Sequence, residues 1–200
     1  MIDAFLLPLQ RRLLHPVARV LHRSGVRADW ITIAGFACGL AGAAAAACGA
    51  FGLALLGLAL NRLADGLDGE VARRAGATDR GAFLDIALDF LFYALFPLGF
   101  ALANPQANAL AAAALIASFI GTGSSFLAFS LIAERRGMTA ADYPSKGIYY
   151  LGGLTEGAET IALFVAFCLL PSVFAPLAWV FAGACALTTL TRLWAGWRLF

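Results

Sequence analysis

Three long stretches of this chain carry no Asp, Glu, Lys or Arg: Trp30 to Asn61, Phe90 to Ala133 and Thr160 to Thr191. Charge is what keeps a soluble domain in water, and such domains are about a quarter charged. Here 13% of residues are charged and 62% are hydrophobic. A membrane-spanning helix needs about 20 apolar residues, so each stretch is long enough for a hairpin of two spans. Turn-forming residues fall near the middle of each, at Gly49 to Gly52, Asn104 to Asn108 and Pro171 to Pro176. The sequence therefore predicts an all-α membrane protein with six transmembrane helices.

The basic residues orient it. All 14 Lys and Arg lie outside the three stretches: before Trp30, between Arg62 and Arg80, between Arg135 and Lys146, and at Arg192 and Arg198. With six spans these four regions share one face, which the positive-inside rule makes cytoplasmic, both termini included. Residues 1–23 mix apolar residues near helical spacing with Arg11, Arg12, Arg19 and Arg23. Too polar to span, they are expected to form an amphipathic helix lying on the cytoplasmic leaflet. The chain thus divides into an interfacial helix, 1–23, and one transmembrane domain, 24–200. His15 and His22 are expected at the lipid headgroups. Asp29 is placed to cap the first span, and Arg192 and Arg198, with Trp194 and Trp197, to anchor the last at the interface. The net charge of +2, without a basic-aromatic run, points away from nucleic acid. Cys38, Cys48, Cys168 and Cys185 fall in predicted spans without C-x-x-C spacing and are read as packing residues.

Against this background the stretch Asp65-Gly-Leu-Asp68-Gly69-Glu-Val-Ala72-Arg73, followed by Gly81-Ala-Phe-Leu-Asp85-Ile-Ala-Leu-Asp89, stands out. Carboxylates at membrane depth are rare and mark a functional site by default. Asp65 and Asp68 share one helix face, and Asp85 and Asp89 share a face of the next helix. Packed side by side, the four would repel one another unless cations sat among them. Hard oxygen ligands suit Mg²⁺ or Mn²⁺. Gly69, Ala72 and Gly81 leave room for a ligand near the backbone, and Arg73 suits phosphate oxygens. Together they fit a pyrophosphate held for in-line displacement, facing the cytoplasm. A purely structural reading has the aspartates capping helices or pairing with Arg62, Arg73, Arg74 and Arg80. An intramembrane prenyltransferase and a divalent-cation transporter also use such acids. The former usually has more spans and two separated Asp-rich motifs, and the latter needs a charged path across the membrane.

The pattern resembles the signature of the CDP-alcohol phosphatidyltransferase family, D-x-x-D-G-x-x-A-R, a spacer, then G-x-x-x-D-x-x-x-D. Every fixed position is filled, and the spacer of seven residues is shorter than the family's usual eight or nine. The resemblance implies transfer of a substituted phosphate from a CDP-linked donor, CDP-diacylglycerol foremost, to a small alcohol with release of CMP. It implies that Asp65, Asp68, Asp85 and Asp89 hold two Mg²⁺ or Mn²⁺ ions and that Asp89 is also the general base. Asp68, Gly69, Ala72, Arg73 and Gly81 would shape the nucleotide site. A bacterial-type inner membrane is the expected location, and small-residue helix faces are compatible with the homodimer the family often forms. Some relatives instead move a soluble CDP-alcohol group, such as choline or ethanolamine phosphate, to a lipid alcohol. The acceptor stays open: Lys146 favours an anionic alcohol, whereas Glu156 and Glu159 favour an amino alcohol.

Overall fold

The computed structural model describes residues 3–138, 155 and 157–200, with side chains from Arg12 onward. Every element among them is helical: α1 (Asp3–Arg23), α2 (Ala28–Ala47), α3 (Phe51–Ala75), α4 (Asp79–Ala103), α5 (Pro105–Arg135), α6 (Gly157–Leu169), a single 3₁₀ turn (Pro171–Val173) and α7 (Phe174–Leu199). The breaks fall at the expected turn residues. Gly25 (φ 74°) and Gly49 (φ 75°) take the left-handed conformation that ends α1 and α2. Asn104 caps α5, its side chain accepting from the Ala107 amide, with Pro105 in the first turn.

Four helices are long and apolar enough to cross a membrane: Ala28–Ala47, Asp79–Ala103, Pro105–Arg135 and Pro171–Leu199, the last including the 3₁₀ turn. The expected six is not reached among the described residues, on two counts. The second half of α3 carries the charged motif from Arg62 onward, and the described part of α6 is only 13 residues.

α2 packs against α3 and α4 almost backbone to backbone. A Cβ on Gly57 would lie 2.6 Å from the Gly42 Cα, and one on Gly39 would lie 2.7 Å from the Phe92 ring. Small residues allow this approach, which drives helix association where lipid offers no hydrophobic gain. Farther along α4, Phe92, Phe96 and Phe100 interlock with Phe164 and Phe167 of α6 and Phe174 of α7. Ring centroids are 4.9 Å apart for Phe96–Phe164 and 4.4 Å for Phe167–Phe174. α5 and α7 pair on the other side, Gly121 facing Thr189. Cys168 and Cys185 are buried, and all four cysteines are free thiols.

Three local expectations are corrected. Arg27, not Asp29, is the N-cap of α2, and no side chain caps it. Asp29 instead accepts from Arg27 at 3.1 Å and from Arg80, at the start of α4, at 2.5 Å. Arg192 does not sit at an interface: it is 8% exposed and donates to the Thr122 carbonyl across the α5–α7 contact at 2.9 Å. Only Arg198 and the tryptophans face outward, with Arg198 3.9 Å above the Trp194 ring. His15 likewise turns to protein, 3.3 Å from Glu70 and 2.6 Å from Arg74 on α3. With the fully buried Ala18, it fixes α1 to α3, while Leu13, Val17 and Val20 point away from the protein.

Candidate active site

The site lies where α2, α3 and α4 meet, and each helix delivers a share. On α3, Asp65, Asp68, Gly69 and Ala72 recur at helical spacing and face the α2–α4 side. Thr78 starts α4 by accepting from the Gly81 amide at 3.1 Å, which sets the register that points Asp85 and Asp89 at α3. The close approach of α2 brings the Thr32 hydroxyl to 2.6 Å from Asp68 Oδ2. Asp68 is the most enclosed of the acids, at 5% exposure, so this bond matters for holding it in place.

Asp65, Asp68 and Asp85 each offer an oxygen, and the three oxygens lie within 4.8 Å of one another. That is the size of one cation's coordination shell, and an all-carboxylate donor set fits a hard divalent ion. Asp89 behaves differently. Its Oδ1 accepts from Arg62 Nη2 at 2.7 Å, while Arg62 Nη1 is 3.7 Å from Asp65. The guanidinium is itself braced: Nε donates to Asn61 Oδ1 at 2.8 Å, and Asn61 donates to the Gly35 carbonyl of α2 at 3.0 Å. It lies over the rings of Phe92 and Tyr93, 5.2 and 5.8 Å from their centroids. A line of polar contacts thus runs from the α2 backbone through α3 to the last aspartate of α4.

Two cavities share Thr32, Asp68 and Asp85 as a common wall. A tight one is bordered by Thr32, Asn61, Arg62 and all four aspartates. A larger cleft of about 290 Å³ opens beside it, bordered by Asp68, Gly69, Ala72, Thr78, Gly81 and Asp85 and rimmed by Arg27, Asp29 and Arg80. The volume is at the lower end of the range of small-molecule sites, roughly 300–1,000 Å³. The glycines form its floor: a Cβ on Gly81 would meet Thr78 Oγ1 at 3.1 Å and Asp29 at 3.4 Å. Arg73 stands over Gly69 and is held by Glu70 at 2.7 Å, and Glu70 also meets Arg74 and His15. Of the residues expected near the acceptor, Glu159 is half-buried in the first turn of α6. Lys146 and Glu156 lie outside the described residues.

The model of the CDP-alcohol phosphatidyltransferase family matches residues 26–191. The chain belongs to this family. It is an integral membrane transferase of the phospholipid-synthesis type, and its carboxylate cluster lies within the matched residues. It is 52% identical, over 98% of its own length and 96% of the relative's, to the inner membrane protein YnjF of Escherichia coli (strain K12). Its fold is similar to that of phosphatidylinositol phosphate synthase (PgsA1) of Mycobacterium tuberculosis. With CDP-DAG bound, that enzyme superposes with a TM-score of 0.66 at 25% identity, covering 93% of this chain and 94% of the other. Its complex with manganese and citrate gives 0.63 at 25% identity, covering 92% and 88%.

The sequence points to every acid of this candidate site but not to what braces it. Thr32 and Asn61 sit in charge-free stretches and carry no signal of their own. Arg62 was named only as a structural partner for the acids; its place three residues before Asp65, on the same face, was the available clue.

Proposed function

We propose that this chain transfers a phosphatidyl group from CDP-diacylglycerol to a small hydroxylated acceptor and releases CMP. One observation carries the reading: Asp65, Asp68 and Asp85 converge within 4.8 Å, and two of them, Asp68 and Asp85, stand on the wall of a cleft of about 290 Å³ whose floor is Gly69, Ala72 and Gly81. Asp65, Asp68 and Asp85, joined by Asp89, would hold Mg²⁺ or Mn²⁺. When bound, the ion draws charge from the pyrophosphate oxygens and so eases displacement. The relative crystallised with CDP-DAG, and again with manganese, supports both the donor and the ion.

The remaining work falls to this chain's own groups. Asp68, Gly69, Ala72 and Gly81 shape the nucleotide cleft, and Arg73 at its edge meets phosphate oxygen. The Asp89 carboxylate takes the proton of the acceptor hydroxyl. The alcohol oxygen bonds to the lipid-bearing phosphorus, and the P–O bond to CMP breaks. A carboxylate is a weak base, so this transfer requires the hydroxyl within hydrogen-bond reach. We assign the acceptor to the α6 side of Asp89, where Glu159 stands, and keep Lys146 and Glu156 as acceptor-contact candidates from the sequence alone. A cavity of about 260 Å³ there is walled by Tyr93, Thr122, Thr155, Thr160 and Arg192, and hydroxyl-rich walls suit a hydroxylated ligand.

The membrane arrangement belongs to the same proposal. Six spans within a domain of residues 24–200 put both termini and the acids at the cytoplasmic face of an inner membrane. α1 would lie in the headgroup layer, supported by the exposed stripe of Leu13, Val17 and Val20 opposite its contact with α3.

The test is CMP release by purified protein with CDP-diacylglycerol, Mn²⁺ and a panel of alcohols, beside Asp89→Asn and an EDTA control. Acceptor-dependent release, lost in the variant and in EDTA, is the expected result and names the alcohol. Release only from CDP-choline or CDP-ethanolamine with diacylglycerol reverses donor and acceptor. Silence with every CDP donor overturns the proposal.

A further inference from the structure

Within the signature, one carboxylate is hydrogen-bonded to a fixed cation, which lies 3.7 Å from a second. Asp65, Asp68 and Asp85 face one another, whereas Asp89 is held by Arg62 at 2.7 Å. Arg62 is no mobile surface cation. Its side chain is 18% exposed, its Nε is fixed by Asn61, and its guanidinium lies over Phe92 and Tyr93. It borders the same tight cavity as the four acids. An arginine keeps its charge at all working pH values, so this cation is always present.

We propose that Arg62 is the resident counter-ion of the acidic site and makes its loading with divalent metal stepwise. The inference rests on the reading that the aspartates hold Mg²⁺ or Mn²⁺, and it concerns how this particular chain does so. A first ion finds Asp65, Asp68 and Asp85 already gathered. A second ion needs Asp89, and it either binds through Oδ2 beside the fixed Arg62 cation or displaces the guanidinium from Oδ1. Displacement exchanges a charge-assisted hydrogen bond in a sheltered site for a metal–oxygen bond. On either route a neighbouring positive charge repels the incoming ion. A displaced guanidinium keeps its bond to Asn61 and its ring contacts, so it stays beside the site, facing the negative charge of the substrate. Arg62 is thereby a positioning residue: it acts through Asp89 and through the order in which ions arrive.

The experiment is a calorimetric titration of the purified full-length protein in detergent with MnCl₂ alone, with bound Mn²⁺ counted by electron paramagnetic resonance. The wild-type chain is expected to bind a first ion tightly and a second more weakly. Arg62→Gln removes the charge at similar size; the second step should tighten by about tenfold or more, as loss of one charge-assisted bond implies. Arg62→Lys keeps a cation and should keep the two steps apart. Asp89→Asn should lose the second step and keep the first, which guards the test should Arg62→Gln fail to fold. Two equivalent ions in the wild-type chain, an unchanged or weaker second step in a folded Arg62→Gln, or a second step surviving in Asp89→Asn each overturns the inference while leaving metal dependence intact. No Mn²⁺ uptake by the wild-type chain overturns the metal reading and this inference with it.

Discussion

The two halves of α4 are built for opposite purposes. From Asp79 to Asp89 its inner face presents carboxylates to cavities, and the Asp89 side chain remains 34% exposed. From Phe92 to Phe100 the same face presents three rings that are at most 1% exposed, interlocked with Phe164, Phe167 and Phe174. One half stores unfavourable charge proximity and leaves space for ligands; the other fills space completely. A rigid ring stack one turn beyond Asp89 fixes the rotation of α4, and so fixes where the carboxylates point. The lesson is a division of labour: packing beside the acids sets where their helix points them, and the bonds from Thr32 and Arg62 then fix Asp68 and Asp89.

This division can be broken from either side. The largest effect is expected at Asp68→Asn, which keeps shape and the Thr32 hydrogen bond but removes charge; CMP release should fall by about two to three orders of magnitude. Its melting temperature in detergent should hold or rise, because a like-charge contact is relieved. A clear fall in melting temperature would mean that the acids are structural after all. Phe96→Ala should do the reverse. It leaves a cavity in the ring stack and should destabilise by about 3–5 kcal/mol, read by unfolding in mixed detergent, while the folded fraction, in which Phe92 and Phe100 still set the rotation of α4, retains Mn²⁺ affinity. Gly57→Ala would put a Cβ 2.6 Å from the Gly42 Cα and force α2 and α3 apart, with about 1–3 kcal/mol of destabilisation expected. Because α2 carries Thr32, turnover should fall along with stability. Asn61→Ala sits on the border between the two regimes, linking Gly35 to Arg62. It should lose about 1 kcal/mol and weaken the Arg62 hold on Asp89, so both readouts move slightly. Trp197→Ala, 89% exposed, should stay within about 0.5 kcal/mol of wild type in detergent.

Much of this was legible beforehand, and the reasons differ from place to place. The helix breaks at Gly25, Gly49 and Asn104 follow from local backbone chemistry, so they fell where the sequence put them. The motif residues were legible because charge in an apolar chain needs a purpose. Arg192 was misplaced because a cation near a chain end ordinarily faces the interface; only the α5–α7 contact reveals that the Thr122 carbonyl receives it. Asp29 was misplaced because a cap is a local inference, whereas its partner Arg80 lies 51 residues away.

The sequence by itself determined the membrane class, the all-helical fold, the family and where in the chain the four aspartates fall, since each depends on residue spacing or on composition. Only the tertiary structure decided that three aspartates converge while Asp89 goes to Arg62, that Thr32 and Asn61 brace the site, and that an open cleft lies beside Gly69 and Gly81. Those facts depend on how closely and at what rotation α2, α3 and α4 pack, which is set by glycine contacts and ring interlocking between segments far apart in the chain.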